Sequence, residues 1–178
     1  MSLDIRWLLP VAVCAVAPQC IAAKYMSIEQ AREQMFPFAD EYVTQPLQLT
    51  RRQTQEIDTL AGVSGHGAQP LVWQAMARGK LIGWLFLDQV IGKHELITYA
   101  LGVNTDGSIR QLQILEYLET YGSQVRYPNW RDQFVGKTVK DPLRVDSDID
   151  NISGATLSAR HLTDGIRRLL LLHQSVLR

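Results

Sequence analysis

The run from Leu71 to Leu118 constrains the fold more than any other part of the chain, because it divides into four extended stretches separated by short turn signals. Leu71 to Ala77 is followed by Arg78-Gly79-Lys80, Leu81 to Val90 by Gly92-Lys93, and Glu95 to Val103 by Asn104-Thr105-Asp106-Gly107. In the last of these turns Gly tolerates positive φ and Asp bonds its own backbone, which suits a hairpin. The fourth stretch, Ser108 to Leu118, predicts Leu112, Ile114 and Leu118 on one face and Gln111, Gln113 and Tyr117 on the other, the two-residue period of a half-buried strand. Successive strands joined by short turns make an antiparallel meander.

Helical signals flank this run. Ser27-Ile28-Glu29-Gln30 reads as a helix start, with Ser27 as N-cap and Gln30 three residues on, and that helix should stop before Pro37. Thr50 to Leu60 predicts a second helix, ended by Gly62, and Val63 to Pro70 is a loop by composition. A short helix is expected over Asn129 to Phe134, closed by Gly136. From Ser158 to Leu177, the side chains of Leu162, Ile166, Leu169, Leu170 and Leu177 recur at helical spacing, so the tail should be an amphipathic helix packed on the sheet. The expected class is α+β in a single domain: an antiparallel meander, a C-terminal helix across it, and N-terminal helices in a segment over residues 24–70.

Charge excludes one class of function. With 18 basic and 18 acidic side chains the net charge is zero, so no global field gathers phosphate backbones, and nucleic acid is not an expected partner. Residues 1–23 read as a secretory signal peptide: Arg6, then an almost uncharged stretch from Trp7 that ends in Cys20-Ile21-Ala22-Ala23 before Lys24. That stretch falls short of a comfortable span of roughly 20 residues and carries Pro10, Pro18 and Gln19, so an uncleaved anchor through residues 7–23 is the second reading. Neither Cys14 nor Cys20 follows a small residue, which disfavours a lipoprotein site. Both cysteines lie inside the leader, so the exported chain would hold its core by packing alone, without disulfides or thiolate ligands.

Most chemical motifs fail on inspection. Asp146, Asp148 and Asp150 alternate as in a calcium loop, but Asn151 stands where the sharp-turn Gly belongs and Leu157 where the bidentate Glu belongs, so a solvated acidic loop is expected. His66, His94, His161 and His173 are never three or four residues apart, and Gly62-Val63-Ser64-Gly65-His66 lacks the final Gly of a nucleophile elbow. Asp150-Asn151-Ile152-Ser153-Gly154-Ala155-Thr156-Leu157-Ser158 is different. Ser153, Thr156 and Ser158 offer hydroxyls, Gly154 and Ala155 leave backbone uncovered, and the free N–H groups of a helix start suit a phosphate. The same letters also fit a plain cap, with Thr156 or Ser158 as N-cap and Gly154-Ala155 as the tight approach.

This segment resembles the flavinylation motif of the FMN-binding domain family, whose core Ser-Gly-Ala-Thr is matched in full by Ser153 to Thr156. Glu119-Thr120-Tyr121-Gly122 is similar to that family's Glu-Thr-Pro-Gly segment, and Trp130-Arg131-Asp132-Gln133-Phe134-Val135-Gly136-Lys137 resembles its Trp-x-x-x-Phe-x-Gly segment. The resemblance covers roughly Leu71 to the C-terminus, so residues 71–178 are expected to be the FMN-binding domain. It departs from the pattern at Tyr121, where proline is usual, and at Gln124, where glycine is usual.

The resemblance implies FMN held covalently by a phosphoester to Thr156 and attached by an extracytoplasmic flavin transferase, with Asp150 part of the motif that the transferase reads. It further implies Ser153, Gly154, Ala155 and Ser158 around the phosphate, and Leu157, Glu119, Thr120, Tyr121 and Trp130 near the ring. For Trp130, plugging the seam between short helix and sheet is an equal alternative. The function so implied is an exported electron carrier, periplasmic or otherwise extracytoplasmic, between a membrane oxidoreductase and an acceptor. A cofactor-free exported interaction module and a flavin-dependent reductase are the competing classes.

Overall fold

The computed structural model describes residues 23–63, 69–119 and 121–177. In chain order these form β1 (Ala23–Lys24), α1 (Ile28–Met35), β2 (Glu41–Thr44), α2 (Arg51–Ala61), β3 (Leu71–Ala77), β4 (Lys80–Ile91), β5 (Leu96–Asn104), β6 (Ile109–Tyr117), α3 (Pro128–Arg131) and α4 (Thr156–Leu172). Single 3₁₀ turns at Ser123–Arg126 and Asp132–Phe134 flank α3, and a π turn at His173–Leu177 ends α4. Residues 1–22 of the leader, with both cysteines, Thr120, and His66 with most of its loop lie outside the described residues. Among the described residues, no helix is long and apolar enough to cross a membrane.

The expected meander is the centre of a six-stranded sheet, ordered β1-β6-β5-β4-β3-β2 and antiparallel throughout. The class is α+β, as the sequence pattern predicts. The N-terminal segment, expected to be helical, also supplies both edge strands. β1 has two residues and β2 four, too short to display a period, and each depends on a partner elsewhere in the chain, β1 on Tyr117 and Glu116, β2 on Trp73 to Met76.

One facing prediction is corrected. Tyr117 lies on the same face as Leu112 and Ile114, 3% exposed, because the register slips at Leu115: Tyr99 pairs with Ile114 but Thr98 pairs with Glu116. The extra residue of the bulge turns everything beyond it to the opposite face. Leu115 faces the other side of the sheet, as simple alternation from Ile114 requires, and the slip after it returns Tyr117 to the face of Ile114.

Helices cover both faces. On one, α4 buries Leu162, Ile166, Leu169, Leu170 and Leu172 against Phe86, Tyr99, Leu101, Val103, Leu112 and Ile114, with Ile57 of α2 alongside. On the other, α1 buries Ala31 and Met35, followed by Phe36, against Ala75, Leu85, Ala100 and Leu115. Phe36 lies so close to Gly83 that a Cβ there would meet its ring at 2.4 Å, so that glycine is the room the ring needs.

A buried charge cluster ties α2, α4 and the sheet together. Arg168 Nε donates to Asp58 Oδ1 at 2.7 Å, Arg168 Nη1 lies 3.7 Å from Asp88 Oδ2, and the Tyr99 hydroxyl donates to the same Asp88 oxygen at 2.9 Å. Burial pushes the Asp88 carboxyl up and the Tyr99 phenol well up. Such a cluster adds little over apolar packing, but removing its cation strands buried carboxylates.

Candidate functional site

The segment before α4 is built by a tight turn. The Ala155 N–H donates to the Ile152 carbonyl at 2.9 Å, and Gly154 sits at φ +80° with nothing within 4 Å of where a Cβ would be. That conformation suits glycine at the third position of a turn, and it delivers the chain into α4 with Ala155 as N-cap. Ala155 has no side-chain acceptor, so no N-cap side chain satisfies the first N–H groups of α4. Thr156 is therefore the first helical residue and Ser158 the third, and neither is the N-cap that the plain capping reading expects. Its reason for failing is geometric: the Gly154 turn sets the helix going one residue before the first hydroxyl.

Exposure sorts the motif. Ser153 and Gly154 are exposed, Thr156 is half-buried, Leu157 is exposed, and Ala155 and Ser158 are buried. An open turn, uncapped backbone donors and a partly accessible threonine hydroxyl are what a phosphate group needs at a helix start. Ser158 is tucked beneath, its Oγ 3.4 Å from the Tyr117 hydroxyl.

Two segments distant in sequence converge on this turn. Gly122, at φ +87°, packs so tightly that a Cβ there would come within 2.3 Å of Ala155 Cβ and 2.7 Å of the Tyr117 hydroxyl. That hydroxyl also donates to the Tyr121 carbonyl, which pins the loop that follows β6. From the other side, Trp130 Nε1 donates to the Asp150 carbonyl at 2.8 Å, and the Asp150 N–H donates to Gln133 Oε1 at 2.8 Å. Trp130 is buried and packs edge-on against Phe134 at 5.1 Å between ring centres. It fills the seam of α3 and sheet while one edge borders a groove of about 340 Å³ shared with Gln124, Tyr127, Gln133, Asn151 and Ser153.

Glu119 faces the β4–β5 turn. Its Oε1 accepts the N–H groups of His94 and Glu95, clasping the β4–β5 turn. Burial raises its carboxyl, but the donated N–H groups of His94, Glu95 and Lys93 outweigh that and leave it below the usual range. The clasp brings Gly92 beside Ser158, and His161 Nδ1 of α4 lies 2.7 Å from the Ile91 carbonyl. Tyr121 points outward, 78% exposed, and Thr120 lies outside the described residues.

In the acidic loop, Asp148 accepts from the Arg144 N–H at 2.9 Å, the Leu143 N–H at 3.2 Å and Lys137 Nζ at 2.9 Å. Burial raises its carboxyl, and those donors more than reverse the shift. Asp148 is a loop clasp, whereas Asp150 keeps its carboxylate in an exposed position. Among the described residues, no group of three or more His, Cys, Asp or Glu side chains is placed to hold a metal ion. Gln133 was not among the expected site residues, although it stands inside the Trp130 to Lys137 segment that carries the resemblance.

Residues 92–171 match the family described as FMN-binding domain. This chain carries an FMN-binding domain. Over 159 residues, 82% of this chain and 73% of the relative, it is 23% identical to the G subunit of the Na(+)-translocating ferredoxin:NAD(+) oxidoreductase complex of Acetobacterium woodii. The matched FMN-binding domain opens at the turn clasped by Glu119 and closes near the end of α4, so it spans β5, β6, α3 and α4. The remaining strands and α1 and α2 complete the sheet on which this FMN-binding domain rests.

Proposed function

We propose that the protein is an exported electron carrier whose FMN is joined by a phosphoester to Thr156 and which relays electrons between a membrane oxidoreductase and an extracytoplasmic acceptor. The observation that carries this reading is the uncapped start of α4, where an exposed Gly154 turn precedes a half-buried Thr156 within the matched FMN-binding region. Ser153, Gly154 and Ala155 would surround the phosphate with hydroxyl and backbone groups, and the helix start would offset its charge. Leu157 and Tyr121, both exposed, would border the ring, and Trp130 would support it across the groove.

Attachment forms one bond and breaks one. The Thr156 oxygen bonds to the phosphorus of a flavin nucleotide whose phosphate carries a leaving group; the bond to that group breaks, and the hydroxyl proton departs with it. A flavin transferase supplies this donor, and Asp150, exposed ahead of the turn, is part of what the transferase reads. FMN, once bound, supplies the redox chemistry, while the protein's task is to orient it and tune its surroundings.

Covalency suits the location proposed for the protein, outside the cytoplasm, because occupancy no longer depends on free flavin. It also removes the need for an enclosing pocket, and the site is open accordingly. The reading is tested by exporting the full chain together with a flavin transferase and passing it through denaturing gel filtration. Flavin absorbance should stay with the chain, and the loaded protein should exchange electrons with protein partners while turning over no small substrate. Absorbance that leaves with the small-molecule fraction would contradict covalent attachment.

A further inference from the structure

The peptide group of Asp150 is held on both sides by one short segment. Its N–H donates to Gln133 Oε1 at 2.8 Å, and its carbonyl accepts from Trp130 Nε1 at 2.8 Å. The Gln133 amide also donates to the Trp130 carbonyl at 3.2 Å, so the Gln133 side chain is tied to the main chain of Trp130. This platform is itself anchored: Arg131 Nη1 donates to the Leu112 carbonyl of β6 at 2.7 Å, and Arg131 Nε to the Arg126 carbonyl at 2.8 Å. After the platform, the Gly136 N–H donates to the Ile109 carbonyl at 2.8 Å, and the Ile109 N–H donates to the Lys137 carbonyl at 2.7 Å.

An exposed loop residue ordinarily gives its backbone groups to water. At Asp150 both groups are instead bonded to side chains of one anchored segment, two residues before the Ile152–Ala155 turn begins. The carboxylate is left outside, and the direction of the chain into Ser153, Gly154 and Thr156 is set.

We propose that Gln133 and Trp130 are positioning residues for the modification of Thr156, clamping the Asp150 peptide so that the acceptor segment meets the transferase in one conformation. This rests on the covalent reading of Thr156. Without the clamp the segment samples other conformations, and the apparent affinity of the transferase for this chain falls by the fraction of competent conformers. The penalty therefore falls on KM for the protein substrate. The kcat of the transfer itself stays as it is, because neither side chain touches the threonine oxygen.

The test measures initial rates of flavin incorporation into the full chain over a range of its concentration, together with hydrogen exchange at the Asp150 amide. Gln133→Met keeps the side-chain length and removes the acceptor; it should raise KM about tenfold, the worth of one lost hydrogen bond, with kcat within about twofold. Gln133→Glu restores an acceptor oxygen and should recover most of that loss. Trp130→Phe keeps the contact with Phe134 but loses the donor, and should resemble Gln133→Met. In the parent the Asp150 amide should exchange slowly, and in Gln133→Met fast. A general loss of folding would raise the apparent KM in the same way, but with exchange accelerated throughout the sheet and α4; that pattern would overturn the clamp, whereas acceleration confined to the segment from Asp150 to Thr156 supports it. Parental KM and slow exchange in both Gln133→Met and Trp130→Phe would overturn the clamp, whereas an unmodified parent would overturn the covalent reading and the clamp with it.

Discussion

The short helices α1 and α2 begin differently from the long helix α4. In α1, Ser27 Oγ accepts the Gln30 N–H and Gln30 Oε1 accepts the Ser27 N–H; in α2, Thr50 and Gln53 do the same. Each is a full capping box, with two donors satisfied reciprocally. Helix α4, 17 residues long against 8 and 11, starts at Ala155 with no side-chain cap at all. Its stability comes from elsewhere: the leucines and Ile166 buried against the sheet, and Arg168 between Asp58 and Asp88. A helix held along its length can leave its first turn open, and in this chain the open turn is the one that carries Ser153 to Thr156. Capping boxes satisfy the first N–H groups of α1 and α2, whereas no N-cap side chain reaches those of α4.

The largest effect should come from removing what holds α4 in place of a cap. Arg168→Leu takes the cation from between two buried carboxylates and should cost about 3–5 kcal/mol in urea denaturation. Its pH dependence has a defined sign. Burial raises the Asp88 carboxyl, so the folded state takes up a proton more readily than the unfolded chain; the stability this gives is full below the unfolded carboxylate range and is lost as pH rises through the folded value. Without Arg168 that carboxyl rises further, so the deficit should be greatest near about pH 7 and smaller near about pH 4.5. A deficit that is constant with pH would mean that Arg168 contributes packing only.

Gly122→Ala comes next. It places a Cβ at φ +87° and within 2.3 Å of Ala155, and should cost about 2–3 kcal/mol while shifting the α4 start. Calorimetry gives the stability, and the rate of flavin incorporation shows whether the turn moved. Ser27→Ala and Thr50→Ala should each cost about 1 kcal/mol by chemical denaturation, since each deletes a real cap. Thr156→Val should change stability least, by less than about 0.5 kcal/mol, because Thr156 caps nothing. A loss from Thr156→Val as large as that from Thr50→Ala would erase the contrast between the two kinds of helix start.

The cap of α1 was legible in the sequence because a capping box is local: two residues three apart, followed by helix formers; Thr50, read as the first residue of the second helix, is instead its N-cap. The strands of the meander were legible for the same reason, each run lying next to its turn. Tyr117 was misplaced because a bulge depends on the partner strand, and no feature of Ser108 to Leu118 alone reveals that Leu115 is the extra residue. The edge strands β1 and β2 and the Asp58–Arg168 pair depend on partners brought close only by the finished sheet. At the site, the motif residues could be named from their letters, but their arrangement could not. The hydroxyls of Thr156 and Ser158 looked like caps, and only the Gly154 turn decides that Ala155 precedes the helix. That Gly122 touches Ala155, and that Gln133 and Trp130 hold Asp150, are relations between segments that the chain keeps far apart until it folds.

Intact mass decides whether the open start of α4 is the attachment point for FMN. Parent and Thr156→Val chains are exported with the same flavin transferase and weighed after denaturation. The parent should gain one FMN less one water, and Thr156→Val should gain nothing. An unmodified parent, or the same gain in both chains, would contradict that attachment point.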